Sequence, residues 1–326
     1  MCCLFGLIDY RGTLTAKQKT RLIRELSIAA EVRGTDATGI AYNTEHGLQI
    51  YKRPLPAHRM RLNIPSSAKV IMGHTRMATQ GRAKKNENNH PFRGSIEGRQ
   101  FALAHNGVLY NDYQLRRLLH LPASKIETDS YIAVQLLEQK NTLDPSSLKY
   151  MAEQVEGSFT FTVLTDRDGL YFVKGDSPLC LVLFPDTGIY VYASTEEILN
   201  TALLGFERLL GRSQKMPTDC GEIIKIDRKG RLSRSTFDAS ALYCNHWGCY
   251  SFSLADHHPQ TERESVRVLK SIAATFGYTD EMIDRLFDRG FTTDEIEEWL
   301  YCGEIRDEQN RKKEQPANRQ MGIERD

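Results

Sequence analysis

From Ser158 onward the apolar residues recur at every second position: Phe159, Phe161 and Val163, then the stretches Leu170 to Lys174, Leu179 to Phe184 and Ile189 to Ala193. A period of two puts neighbouring side chains on opposite faces of an extended chain, so each stretch reads as a strand. The turns between them are short and rich in Asp and Gly, as antiparallel hairpins require. A last hairpin is expected at Glu222 to Ile226 and Leu232 to Thr236, turning at Asp227 to Gly230.

Helical signals surround these strands. Thr15-x-x-Gln18 has the form of a capping box, and Leu22, Ile23, Leu26 and Ala30 follow at helical spacing before Gly34 closes the segment. Thr128 is read as the cap of a helix through Ile132, Leu136 and Leu137, and Asp144-Pro145 starts another with proline at its favoured first position. Ser194-x-x-Glu197 is read as a second capping box, opening a helix to about Phe206. Residues 38–52 and 68–75 read as strands separated by the polar stretch Arg53 to Ser67. Helices, then antiparallel strands, then a helix indicate an α+β layered domain.

Beyond about residue 240 the composition changes. Gly277-Tyr278-Thr279-Asp280-Glu281-Met282-Ile283 and Gly290-Phe291-Thr292-Thr293-Asp294-Glu295-Ile296 are near-copies, each opening a short amphipathic helix. Ile283, Leu286 and Phe287 face one way, as do Ile296, Trp299 and Leu300. With a helix from Glu262 to Phe276 they would form a small three-helix unit. Residues 306–326 carry almost nothing apolar to bury and are expected to be a disordered tail. The domain reading is therefore 2–240, a small acidic helical region over 241–305, and the tail.

The chain opens Met1-Cys2-Cys3-Leu4-Phe5-Gly6. Removal of Met1 would make Cys2 the N-terminus, with a thiol nucleophile and its own α-amine, of pKa about 7.7–8.0, as the base. Taken alone, Cys2 reads more readily as a small side chain on a buried first strand. Downstream lie Arg33-Gly34-Thr35-Asp36-Ala37-Thr38-Gly39-Ile40, Gly73-His74-Thr75-Arg76-Met77-Ala78-Thr79-Gln80-Gly81, Asn88-Asn89-His90-Pro91-Phe92, His105-Asn106-Gly107 and Glu127-Thr128-Asp129-Ser130. In order and spacing this set resembles the class II glutamine amidotransferases, an N-terminal nucleophile hydrolase family, over roughly residues 2 to 235.

The resemblance implies a four-layer αββα sandwich and a specific chemistry. Cys2 would attack the side-chain amide of glutamine, giving a γ-glutamyl thioester and ammonia before water releases glutamate. The Asn106 side chain and the Gly107 N–H would hold the oxyanion. Arg76 would grip the substrate α-carboxylate, Thr79 would add a hydrogen bond to it, and Asp129 would receive the α-ammonium. Arg33 and Asp36 are read as holding the nucleophile's strand without touching substrate. Three positions depart from the family pattern: Cys3 stands where glycine is usual, Met77 where tryptophan is common, and Gln80 where histidine is frequent. A thiol at Cys3 raises the alternative that it is the nucleophile.

Other readings bound this one. Cys244-x-His246-x-x-Cys249 with His257-His258 offers metal donors, but its spacing is irregular for zinc, and the expectation is no metal and no cofactor. His74, His90 and His105 are read as structural hydrogen bonders. Lys and Arg number 43 against 42 Asp and Glu, so the net charge of +1 gives no general attraction to nucleic acid or anionic membrane. The region from Thr279 to Glu308 carries eleven acids against three arginines, which would repel phosphate backbones. The longest purely apolar run, Leu179 to Phe184, is too short to span a bilayer, which takes about 20 residues. Seven cysteines without the spacing of a disulfide framework, and no signal-peptide pattern, indicate a cytoplasmic protein.

No synthase motif accompanies the amidotransferase pattern: neither a Ser-Gly-Gly-x-Asp-Ser loop, nor an acidic phosphoribosyl-pyrophosphate motif, nor a Walker loop. The expectation is a separate synthase subunit that accepts the ammonia, docked through the acidic C-terminal helices. Two other functions fit: an N-terminal cysteine hydrolase of a γ-glutamyl compound or another linear amide, and a non-catalytic binding protein on the same fold.

Overall fold

The computed structural model describes residues 2–240, 242, 266–267, 269–270, 273–274, 277–291, 296 and 300. The chain divides into two compact units, 1–249 and 250–326.

In the first unit the strands are β1 (Cys3–Asp9), β2 (Ala37–Thr44), β3 (Gly47–Arg53), β4 (Val70–Arg76), β5 (Phe92–Ile96), β6 (Arg99–Leu109), β7 (Gly157–Thr165), β8 (Leu170–Lys174), β9 (Cys180–Phe184), β10 (Ile189–Ala193), β11 (Gln214–Met216), β12 (Glu222–Ile226) and β13 (Leu232–Thr236). They form a seven-stranded sheet in the order β11-β9-β10-β1-β4-β2-β3 and a six-stranded sheet in the order β13-β12-β8-β7-β6-β5. The helices are α1 (Ala16–Ala29), α2 (Asp112–Leu118), α3 (Tyr131–Lys140), α4 (Pro145–Gln154), α5 (Glu196–Leu203) and α6 (Glu207–Leu210).

The alternation of β1 sorts its residues between two cores. Cys3, Phe5 and Leu7 pack with Leu22, Ile23 and Leu26 of α1 and Ile198, Leu199 and Ala202 of α5. Leu4 and Ile8 point the other way, joining Val70 and Met72 of β4 against Ala102, Ala104, Leu164, Leu170 and Phe172 of the second sheet. On the far side of that sheet, Leu103, Phe159, Phe161 and Val163 pack against Ile132, Leu136, Leu137, Leu148 and Met151 of α3 and α4. Helices, sheet, sheet, helices: this is the αββα sandwich. Each fully buried side chain of this size contributes about 1.5–3 kcal/mol, so a one-residue slip of β1 would exchange both cores at once.

The capping signals divide. Thr15 and Gln18 form the capping box, and Asp144 caps α4 with Pro145 at its start. Thr128 does not cap α3; that helix begins at Tyr131 after Ser130, and the buried Thr128 hydroxyl has no hydrogen-bond partner in the structure. Ser194 does not cap α5 either, because Thr195 accepts the Ile198 N–H in that role. The segment 38–52, read as one strand, is the hairpin β2–β3, reversing between Thr44 and Gly47, which pair across it. Gly47 sits at φ +95°, a conformation natural to glycine.

In the second unit α7 (Asp280–Asp288) follows Thr279. Its Ile283 is buried with Leu269, Ala273, Ile296 and Leu300, and Leu286 and Phe287 pack against them. The expected tail and the cysteine–histidine cluster at 244–258 lie outside the described residues.

Candidate active site

The alternation that sorts β1 continues one residue back to Cys2, which falls in register with Leu4 and Ile8, toward the second sheet. Its half-buried thiol donates to the Met77 carbonyl at 3.4 Å, and its own carbonyl accepts from Arg33 Nε at 2.9 Å. Cys3 lies in the opposite register. Its side chain is fully buried in the core beneath α1, where its thiol donates to the Leu4 carbonyl at 3.3 Å and also meets Ser194. The two adjacent thiols therefore face different layers. Burial pushes the Cys2 thiol up, opposed by the Met77 hydrogen bond and the Arg76 charge. A thiol held neutral in this way needs a base beside it to become a nucleophile.

Arg76 ends β4 in the same inter-sheet register as Met72, and is almost fully buried. Its Nη1 donates to Asn89 Oδ1 at 2.7 Å; its Nη2 donates to the Gln80 and Gly81 carbonyls at 2.5 and 3.0 Å. Asp129 is held by the Leu109 N–H at 2.7 Å and the Ser130 hydroxyl at 3.2 Å. The Arg76 and Asp129 charges both act on the Cys2 thiol, and both Cys2 and Asp129 act on Arg76, so the fold gathers these three groups. Thr79 is half-buried in the loop after Arg76. Asp36 braces that loop, accepting the Ala78 N–H at 2.8 Å while its own N–H donates to the Arg76 carbonyl at 3.0 Å. Arg33 thus holds the residue that opens β1, from the short helical turn Ala30–Arg33, whereas Asp36 holds the loop that follows Arg76 and not β1.

Asn106 and Gly107 lie near the end of β6, where it pairs with β7 at Thr160 and Phe159. Gly107 has φ +140°, and a Cβ there would stand 1.9 Å from the Ser158 carbonyl oxygen, so no other residue fits this backbone. The fully buried Asn106 has Oδ1 unpartnered, and its Nδ2 makes one long bond, 3.4 Å, to the Ser194 hydroxyl. Ser194 also accepts the Leu4 N–H at 2.9 Å. It ties the strand behind Cys2 to Asn106, a role that capping logic conceals. Ser194→Ala would strand a buried N–H, costing about 1–3 kcal/mol, measurable as a lower urea midpoint without a changed m-value.

Three histidines lie in this region. His74 Nε2 is 2.9 Å from the His105 carbonyl, and His105 Nδ1 is 2.8 Å from Ser130 Oγ. His105 Nε2 also faces the Ser158 carbonyl at 3.4 Å, so both of its ring nitrogens have a partner, and Ser130 passes the contact on by donating to Asp129. His90 departs from the expectation of a hydrogen bonder: neither ring nitrogen has a partner, and it stacks between His74 at 4.2 Å and Phe92 at 4.3 Å. Burial lowers the pKa of all three below the ordinary 6.5 of a histidine, that of His74 to about 3. Between those values the unfolded chain binds more protons than the folded one. Stability is then complete above pH 6.5 and falls as the pH drops toward 3. Urea midpoints should hold between pH 7.5 and about 6.5 and then decline to pH 4.5; a profile flat over the whole range would contradict the neutral buried rings.

Among the described residues no group of three or more His, Cys, Asp or Glu could hold a metal ion, and no helix is long and apolar enough to cross a membrane.

Comparison with known proteins agrees with this geometry. Relatives called glutamine–fructose-6-phosphate aminotransferase (isomerizing) include one from Geobacillus kaustophilus, 33% identical over 279 residues, 82% of this chain and 45% of that protein. One from Bacillus licheniformis is 29% identical over 274 residues, covering 80% and 44%. The chain thus spans less than half the length of these relatives. A solved glutamine phosphoribosylpyrophosphate amidotransferase from B. subtilis, complexed with ADP and GMP, shares the fold with a TM-score of 0.59 at 20% identity, covering 73% of this chain and 49% of that one. The profile of the family described as glutamine amidotransferases class-II matches residues 1–166. The chain belongs to the class II glutamine amidotransferases.

Proposed function

We propose that residues 2–240 form a glutaminase domain that hydrolyses the side-chain amide of glutamine to glutamate and ammonia through a thioester on Cys2. The observation that carries this reading is the grouping of one thiol, one buried guanidinium and one buried carboxylate, Cys2, Arg76 and Asp129, within mutual electrostatic reach. A free amino acid presents an α-carboxylate and an α-ammonium at fixed separation, and Arg76 and Asp129 match those charges. Once Met1 is removed, the Cys2 α-amine takes the thiol proton as the sulfur attacks the amide carbon. Asn106 Nδ2 and the Gly107 N–H stabilise the tetrahedral oxygen. Collapse expels ammonia, and water then attacks the thioester to release glutamate.

The clamp is partly occupied by the chain itself. Both Nη2 protons of Arg76 go to the Gln80 and Gly81 carbonyls. A two-pronged grip on a carboxylate therefore requires the loop holding Thr79 to release one of them, and Thr79 then adds its hydroxyl to the carboxylate.

The ammonia acceptor is assigned to a synthase partner, and the acidic helices of the second unit are the proposed docking element. The free thiols Cys2, Cys3, Cys180 and Cys220 suit a reducing cytoplasm. Glutamate release from glutamine, compared with ammonia release from glutaric acid monoamide, tests the reading. Lacking the α-ammonium, the monoamide should lose about 100-fold or more in kcat/KM, since Asp129 is left unpaired. Equal turnover of both, or turnover only of γ-glutamyl amides with larger leaving groups, would favour the linear-amide hydrolase.

A further inference from the structure

Beside the amidotransferase site, β3 and the segment 86–93 enclose a cleft of about 240 Å³ lined by Ile50, Lys52, Arg53, Asn86, Pro91 and Arg93. Three of these six residues are cations, and none of the ion pairs among the described residues involves them. Neutral groups hold them instead. Lys52 Nζ donates to the Asn89 carbonyl and, at 3.5 Å, to the Glu87 carbonyl. Arg53 lies over the Tyr51 ring, 5.0 Å from its centroid, and its Nη1 donates to the Lys52 carbonyl at 3.1 Å. Arg93 donates through Nη1 to Gln100 Oε1 and through Nη2 to the Leu48 carbonyl at 3.1 Å. Asn86 Nδ2 donates to the Lys52 carbonyl at 3.0 Å.

Carbonyls and an aromatic face fix the direction of a cation without cancelling its charge. Each cation keeps donors beyond those used here, because an ammonium has three and a guanidinium five. The Glu87 carboxylate acts on Lys52 electrostatically but is exposed and makes no ion pair with it. The cleft is smaller than the roughly 300–1,000 Å³ typical of pockets for drug-sized ligands, so it suits a compact anion rather than a long chain. A tetrahedral oxyanion offers several acceptors, which suits a cleft lined by three cations and the Asn86 amide.

We propose that this cleft binds the phosphate group of a small metabolite, held by Lys52, Arg53 and Arg93. The site adjoins the glutamine clamp through a short chain: Lys52 donates to the backbone of Asn89, and the Asn89 side chain accepts from Arg76 at 2.7 Å. Binding itself does not depend on the glutaminase reading.

The test is calorimetric titration of the full chain with inorganic phosphate and with glycerol 3-phosphate at constant ionic strength. Saturable binding is expected, weakened at least ten-fold in Arg53→Gln/Arg93→Gln, two exposed positions whose loss should leave the circular dichroism unchanged. Arg99→Gln, which removes an exposed arginine paired with Asp166, should bind as the unaltered chain does. Tighter binding of glycerol 3-phosphate identifies a phosphoester as the ligand, and equal binding identifies free phosphate; both support the site. Absence of saturable binding, binding unchanged in the double variant, or equal weakening in Arg99→Gln would overturn it.

Discussion

Cys2→Ala is expected to abolish glutamate release, by about 10⁴-fold or more, while leaving the fold and glutamine binding intact. Removing a nucleophile eliminates the covalent route, so the loss should fall on kcat. No neighbouring group can substitute. Cys3 is one residue away in sequence, but its thiol lies in the core under α1, and a strand cannot present adjacent side chains to the same face. Cys3→Ala should therefore retain activity, with a stability cost from the small cavity left in that core. Cys2 needs a free α-amine as well as a thiol, because burial raises the thiol and disfavours its ionised form. A chain that keeps Met1 should be as inactive as Cys2→Ala, which intact mass and a rate assay on the same preparation would check. Release that persists in Cys2→Ala would place the chemistry elsewhere.

Asn106→Ala should lower kcat by about 10²- to 10³-fold with little change in KM. The expectation rests on an imbalance. A fully buried amide ordinarily satisfies its hydrogen bonds, yet Asn106 has Oδ1 unpartnered and a single long bond from Nδ2. Oδ1 is an acceptor and cannot hold an anion, but Nδ2 has two N–H donors with one long bond between them, so it can gain a partner in the tetrahedral intermediate, when the carbonyl oxygen becomes an anion, and contributes little to ground-state binding. The variant removes one unpartnered atom from the core, so the loss of rate should not be accompanied by unfolding. An equal rise in KM with kcat unchanged would assign Asn106 to substrate binding instead.

Much of this arrangement is legible in the chain, for identifiable reasons. From Ser158 onward β7 is announced by its alternation of Phe159, Phe161 and Val163 with Ser158, Thr160 and Thr162, and β8 to β10 by short, nearly continuous apolar runs, as strands lying between two apolar layers carry. The 38–52 segment conceals its hairpin because the reversal at Glu45-His46-Gly47 lacks a strong two-residue turn signature between clearly separate apolar runs. β5 and β6 escape notice because β6 carries site residues where an ordinary strand would carry apolar ones: His105, Asn106 and Gly107 interrupt the alternation begun by Phe101 and Leu103. Ser194 has the spacing of a helix cap, and only the folded chain shows its hydroxyl turned to Leu4 and Asn106. The residues proposed to carry the chemistry come from four separated segments, and their meeting depends on β1 lying next to β4 while β6 faces them from the other sheet.

The measurement that bears most directly on the central claim is the location of the acyl group during turnover. Protein mixed with glutamine and quenched in acid should carry a γ-glutamyl group on the N-terminal peptide, attached to Cys2 with Met1 absent, and Cys2→Ala should carry none. A γ-glutamyl group on Cys3 or any other residue, or glutamate release that Cys2→Ala retains, would contradict the account.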